Sequence, residues 1–273
     1  MSALTVSQTL LNSTVAALVV QTRAPDGDLV CLHGFTQNRF AMINNLVAPF
    51  AAHYRRIWFV DCPGHGATTV DSRTPHSFFD ALCTIGPHFD IFGYSMGGRL
   101  GLWLLSLYPG LITNAVIASA HLGLETPEAQ AARRASDGQL ADRLEHLPYS
   151  PGLGQQNQEF IAFLEEWNQA PLFGGRSLTN SELRLRASNH PDALASALRT
   201  YGTGEQPNLT SLLSETKTRL LYLYGEHDTV YRAMAERARG LGTCEVRMID
   251  RGAHDVLHDQ PSAVVQLATQ FLS

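Results

Sequence analysis

Gly93-Tyr94-Ser95-Met96-Gly97 is the stretch whose reading decides the fold. It follows the apolar run Phe89-Asp-Ile-Phe92 and precedes a segment of helical character that starts near Gly98. In a strand-to-helix turn of this kind the serine hydroxyl is pushed into the open on a strained backbone. Glycines on either side relieve the crowding. A G-x-S-x-G run alone recurs by chance in loops, so the strand before it and the helix after it carry the meaning.

The same grammar extends in both directions. Leu29-Val-Cys-Leu-His33, Ile57-Trp-Phe-Val-Asp61, Ala115-Val-Ile-Ala118 and Leu220-Leu-Tyr-Leu-Tyr224 are short apolar runs separated by helical stretches, and Val246-Arg-Met-Ile249 is a further candidate strand. Their unbroken apolarity predicts strands buried on both faces, an α/β chain with a mostly parallel sheet and helices above and below. The run 15–20 reads as the first strand. It is too short to span a bilayer and lacks the basic lead-in and A-x-A site of a secretory signal. A last helix is predicted over 261–271, with Pro261 in its first turn. From 121 to 207 no strand-like run occurs, and helical patterns at 128–147, 158–169 and 178–188 take over. This predicts a core built from 1–120 and 208–273 with a helical insertion, 121–207, over the sheet.

With 273 residues and 44% hydrophobic content the chain can bury a substantial core. A net charge of -5 argues against nucleic-acid or anionic-membrane partners, which require clustered positive charge. Of the 20 basic residues only Lys217 is lysine, so any cationic anchor is an arginine fork suited to carboxylates. Cys31, Cys62, Cys83 and Cys244 form no CxxC pair, which points to reduced thiols in a cytoplasmic protein rather than a metal site or disulfide framework.

A serine needs a histidine to take its proton and an acid to orient that histidine. In this architecture the partners follow in the order Ser, acid, His, at carboxyl ends of strands. Tyr224-Gly-Glu-His-Asp228 and Gly252-Ala-His254 end successive predicted strands, which nominates Asp228 and His254. Glu226 and Asp250 are alternative acids and His258 an alternative base. For a developing oxyanion, the backbone N–H groups of Phe35, after the His33-Gly34 turn, and of Met96 are the expected donors. Asp61-Cys-Pro-Gly-His-Gly66 reads as a structural loop.

Taken together, His33-Gly34, the 61–66 loop, the serine turn, Gly225-Glu-His-Asp228 and Gly252-Ala-His254 resemble the α/β-hydrolase superfamily. A narrower resemblance is to the 2-succinyl-6-hydroxy-2,4-cyclohexadiene-1-carboxylate synthases of menaquinone biosynthesis. It rests on Gly97-Gly-Arg99, His121-Leu-Gly-Leu124, Arg133-Arg-Ala-Ser-Asp137, Trp167-Asn-Gln-Ala-Pro171-Leu-Phe173 and Leu185-Arg186-Ala-Ser-Asn189. Gln37, where that family has Gly, and Asn168, where it has an aromatic residue, depart from the pattern and bear on loop shape.

The narrower resemblance implies a lyase that eliminates pyruvate from a tricarboxylate, with no cofactor and no metal. Arg99, Arg133 and Arg186 are then the carboxylate forks, with Tyr94 and Trp167 as further substrate contacts. Arg134 reads as a solvated helix face. The superfamily motifs fit a serine hydrolase of esters, thioesters or C–C bonds equally well, and a non-catalytic receptor on this fold would retain the pocket.

Overall fold

The computed structural model describes residues 4–69, 76–150 and 157–272. Eight strands form one sheet in the order β1-β2-β4-β3-β5-β6-β7-β8. They are β1 (Thr5–Leu11), β2 (Val15–Gln21), β3 (Asp28–Leu32), β4 (Arg56–Val60), β5 (Phe89–Tyr94), β6 (Ile112–Ala118), β7 (Arg219–Gly225) and β8 (Cys244–Ile249). From β4 to β8 every pairing is parallel, whereas β1 to β2 and β2 to β4 are antiparallel. The run 15–20 is therefore the second strand. Its partner β1 is exposed along nearly all its length, so no buried apolar run marks it in the sequence.

Alternate side chains of the parallel strands feed two cores. Val30, Leu32, Val60 and Ile91 face one layer of helices. Leu29, Cys31, Ile57, Phe59 and Phe92 face the other. The first layer includes α2 (Ser77–Cys83), α3 (Met96–Leu107), α8 (Thr210–Glu215) and α9 (Thr229–Ala238). The second includes α1 (Ile43–Phe50), α10 (Val256–Asp259) and α11 (Pro261–Leu272).

Between β6 and β7 lie α4 (Pro127–Glu145), α5 (Gln158–Asn168), a short 3-10 turn (Pro171–Phe173), α6 (Asn180–Arg186) and α7 (Pro191–Tyr201). Residues 151–156 of this stretch fall outside the described residues. These helices have their own apolar cluster, including Ala141, Leu144, Phe160, Phe163, Leu164, Leu183 and Leu194. Helix α6 is nucleated by a reciprocal cap: Thr179 Oγ accepts from the Glu182 amide, and Glu182 accepts from the Thr179 amide.

Helix α3 begins at Met96, two residues earlier than the sequence suggests, with Ser95 as its N-cap residue. Ser95 makes no side-chain cap bond, which leaves its hydroxyl free for another partner. Its φ of 51° is strained for a residue with a β-carbon. The turn holds because the chain packs tightly against it. A β-carbon on Gly97 would sit 2.1 Å from the Leu32 carbonyl oxygen, and one on Gly93 would meet the Gly98 α-carbon at 2.6 Å. Gly97→Ala is expected to destabilise the fold by about 3 kcal/mol, as overpacking against rigid backbone does. Urea unfolding measures this, and a midpoint equal to wild type would show that the turn can yield.

Candidate active site

The sheet delivers three side chains to its carboxyl edge. Ser95 follows β5, Asp228 follows β7, and His254 lies on the loop after β8. Ser95 Oγ is 2.9 Å from His254 Nε2, and His254 Nδ1 is 2.8 Å from Asp228 Oδ2. Asp228 is 1% exposed and His254 2%, so water does not compete for the contact between them. The other Asp228 oxygen accepts the Tyr231 amide at the start of α9. With Nδ1–H donating to that carboxylate, Nε2 is the free acceptor for the serine proton.

The alternatives named from sequence are placed elsewhere. Glu226 Oε2 accepts the Arg251 amide at 2.8 Å, on the exposed surface. His258 faces Glu182 at 3.4 Å. Asp250 is exposed.

Phe35 and Met96 line the cavity with Ser95, and the backbone amide of neither has a hydrogen bond to a described residue. Their neighbours are all committed. Gly34 donates to Gln37 Oε1, Thr36 to His65 Nε2, Ser95 to the Ala118 carbonyl and Gly97 to the His33 carbonyl. Gln37, a departure from the resembled pattern, is thus the side chain that folds the Phe35 turn. Asn168, the other departure, is buried and donates to the Arg176 carbonyl. The 61–66 loop supports the same turn: Asp61 binds Arg39, and His65 takes the Thr36 N–H. From the helical insertion, Asn189 donates to the Thr36 carbonyl and accepts the Gly66 amide, while His254 donates its backbone N–H to the Leu172 carbonyl.

A cavity of about 340 Å³ opens over these groups, lined among others by Tyr94, Arg99, Arg133, Trp167 and Arg186. Arg99 is 7% exposed and forms no ion pair with a described carboxylate. It donates to the Tyr201 carbonyl and Gln206 Oε1, and burial pulls its pKa down to about 10. Arg186 is 3% exposed, donates to Thr36 Oγ, and has Asp255 at 4.0 Å. Arg133 is half-exposed, with Nε bound to Asp137 and its terminal nitrogens without a described partner. Arg134, read as surface, bonds the Gly204 carbonyl. Among the described residues the buried Trp167 indole N–H has no hydrogen-bond partner, and its ring meets Phe35 edge-on.

Sequence reasoning missed several groups. The rings of Tyr231 and Phe173 lie 4.5 and 5.3 Å from the His254 ring and, with Tyr94 at 5.6 Å, surround it. His121 also lines the cavity; its place just after β6, at a strand's carboxyl end, was an available signal. Tyr231 had none, because its position depends on how α9 leaves Asp228. Among the described residues no group of three or more His, Cys, Asp or Glu side chains is placed to hold a metal ion. No described helix is long and apolar enough to cross a membrane.

Comparison with known proteins gives a consistent picture. The family model described as "Alpha/beta hydrolase family" matches residues 29–267. A 2-succinyl-6-hydroxy-2,4-cyclohexadiene-1-carboxylate synthase of Escherichia coli O1:K1 is 31% identical over 89% of this chain and 93% of its own length. A Bacillus subtilis protein named as a putative synthase of the same kind is 27% identical over 90% of each chain. In three dimensions, MenH from S. aureus superposes with a TM-score of 0.80 at 25% identity, covering 94% of this chain and 97% of its own.

Burial holds the His33 pKa down to about 4 and that of His65 to about 3, so both are neutral in the fold, where their ring nitrogens accept backbone N–H groups. Unfolded, each titrates near 6.5 and binds the proton first. Stability is therefore expected to be full above about pH 7 and to fall as pH drops from 6.5 toward 4. Urea unfolding at about pH 7.5 and pH 5 tests this, and equal stabilities would contradict the buried neutral assignment.

Proposed function

The chain belongs to the alpha/beta hydrolase family, and from that premise we propose that it is a carbon–oxygen lyase. Its substrate in this proposal is 2-succinyl-5-enolpyruvyl-6-hydroxy-3-cyclohexene-1-carboxylate, from which it eliminates pyruvate to form 2-succinyl-6-hydroxy-2,4-cyclohexadiene-1-carboxylate in menaquinone biosynthesis. The relatives bearing that synthase's name support the assignment. One observation in this chain carries it. Arg99 is buried beside Ser95 and forms no ion pair with any carboxylate among the described residues, and Arg133 and Arg186 line the same cavity. A desolvated guanidinium is costly unless a ligand supplies the opposite charge, and a tricarboxylate does. An ester hydrolase acting on neutral substrates gains nothing from it.

In the proposed reaction Asp228 holds the imidazole of His254 so that Nε2 accepts the Ser95 proton. The serine oxygen removes the proton on the carbon next to the succinyl ketone. The enolate oxygen is held by the N–H groups of Phe35 and Met96, fixed donors that serve an enolate as they would a tetrahedral intermediate. Its electrons return through the ring, a C=C bond forms, and the C–O bond to the enolpyruvyl group breaks. Pyruvate leaves as its enolate and is then protonated. Tyr94 and Trp167 contact the substrate, and residues 121–207 act as a lid over the core.

Pyruvate release, followed with a coupled assay, tests the proposal. Wild type is expected to turn over, and Ser95→Ala to lose at least about a thousandfold in kcat while unfolding at the wild-type urea midpoint. Near-normal turnover in that variant would exclude Ser95 as the base. Brisk hydrolysis of p-nitrophenyl acetate with an acyl-enzyme burst would favour a serine hydrolase instead.

A further inference from the structure

We infer that His121 is a neutral hydrogen-bond donor to the bound substrate, its Nε2–H completing, with Arg99 and Arg133, a subsite for one carboxylate. The inference rests on the cavity being a polyanion site. His121 follows β6 and is 8% exposed, with its ring on the cavity wall. Its Nδ1 accepts the Gly123 amide at 3.0 Å, so the ring proton of the neutral form sits on Nε2. Among the described residues Nε2 has no partner. Gln206, fully buried, ties the residue to the subsite. Its Nε2 donates to the His121 carbonyl at 2.9 Å while its Oε1 accepts from Arg99.

The surroundings keep the ring uncharged. Burial, together with the charges of Arg99, Arg133 and Arg237, takes the His121 pKa down to about 4. A donor without charge suits the place. Three arginines already bring positive charge to the cavity, and a further buried cation would be repelled by Arg99 and Arg133. A neutral N–H satisfies a remaining carboxylate lone pair and adds no desolvated charge. A second cluster in the same cavity, Arg186 with Tyr94, lies against a different set of charged groups, Asp255, Arg176 and Glu182. Through Gln206, His121 belongs to the Arg99 side of the cavity.

A purely structural His121 would act only through Nδ1, anchoring Gly123. Two substitutions separate the roles. Glutamine carries an amide nitrogen near the Nε2 position but no Nδ1 acceptor, and asparagine offers an acceptor near Nδ1 but no Nε2 donor. The donor role predicts that His121→Gln keeps kcat/KM for pyruvate release within a few-fold of wild type. His121→Asn should lose about tenfold to a hundredfold, mostly in KM. Asparagine activity equal to or above glutamine activity overturns the inference. If the wild-type protein releases no pyruvate, the lyase proposal fails, and succinate tests His121 independently. On titration with succinate the ¹⁵N–¹H signal of His121 Nε2–H should move downfield, and a signal that stays put at saturating succinate overturns the inference.

Discussion

The hydrogen bond between Ser95 Oγ and His254 Nε2, 2.9 Å long, joins residues 159 positions apart, and most of the architecture exists to keep it. Ser95 sits at a φ of 51°, a conformation that costs about 1–3 kcal/mol and survives only where the surroundings over-determine it. Close approach of Gly97 to the end of β3, and of Gly93 to the start of α3, supplies that constraint. The parallel strands then bring the loops after β5, β7 and β8 to one edge, so three distant segments meet without any being long. Asp228 serves twice, capping α9 through one oxygen and orienting the imidazole through the other.

Electrostatics divides the neighbourhood. The imidazole is enclosed by aromatic rings and a buried carboxylate, whereas the cavity above it is lined by guanidinium groups. Arg99 is desolvated and forms no ion pair with a described carboxylate, and the nearby charge of Asp137 offsets only part of the effect of burial on it. His33, His65 and His121 are kept neutral by burial, and their ring nitrogens accept backbone N–H groups. The helices between β6 and β7 bond directly to the Phe35 turn and to the loop of His254. Asn189 grips the Thr36 carbonyl, Arg186 bonds Thr36 Oγ, and Leu172 accepts the His254 amide. A shift of these helices would therefore move the Phe35 amide and the imidazole together.

Much of this was legible in the sequence because it depends on local rules. The buried strands announce themselves as unbroken apolar runs, and the serine turn by glycines that nothing else could replace. Asp228 and His254 stand at strand ends, where the topology concentrates chemistry. What escaped was decided by tertiary contact. β1 has no apolar signature because its side chains are exposed, and it is a strand only through its pairing with β2. Helix α3 starts at Met96 although its N-cap residue, Ser95, makes no side-chain cap bond and faces His254 instead. Tyr231 and Phe173 surround the imidazole from segments whose approach no spacing rule encodes. Gln37 departs from the resembled pattern in the Phe35 loop, and there its side chain accepts the Gly34 amide.

The central claim is that the hydroxyl at position 95 acts as a base toward carbon rather than as a nucleophile toward a carbonyl. Substrate deuterated on the carbon beside the succinyl ketone, mixed with excess enzyme in a single turnover, tests it most directly. Severalfold slower pyruvate release than from the protium substrate, with no acyl group on Ser95 in the quenched protein, is the predicted result. Equal rates together with an acylated Ser95 would contradict it.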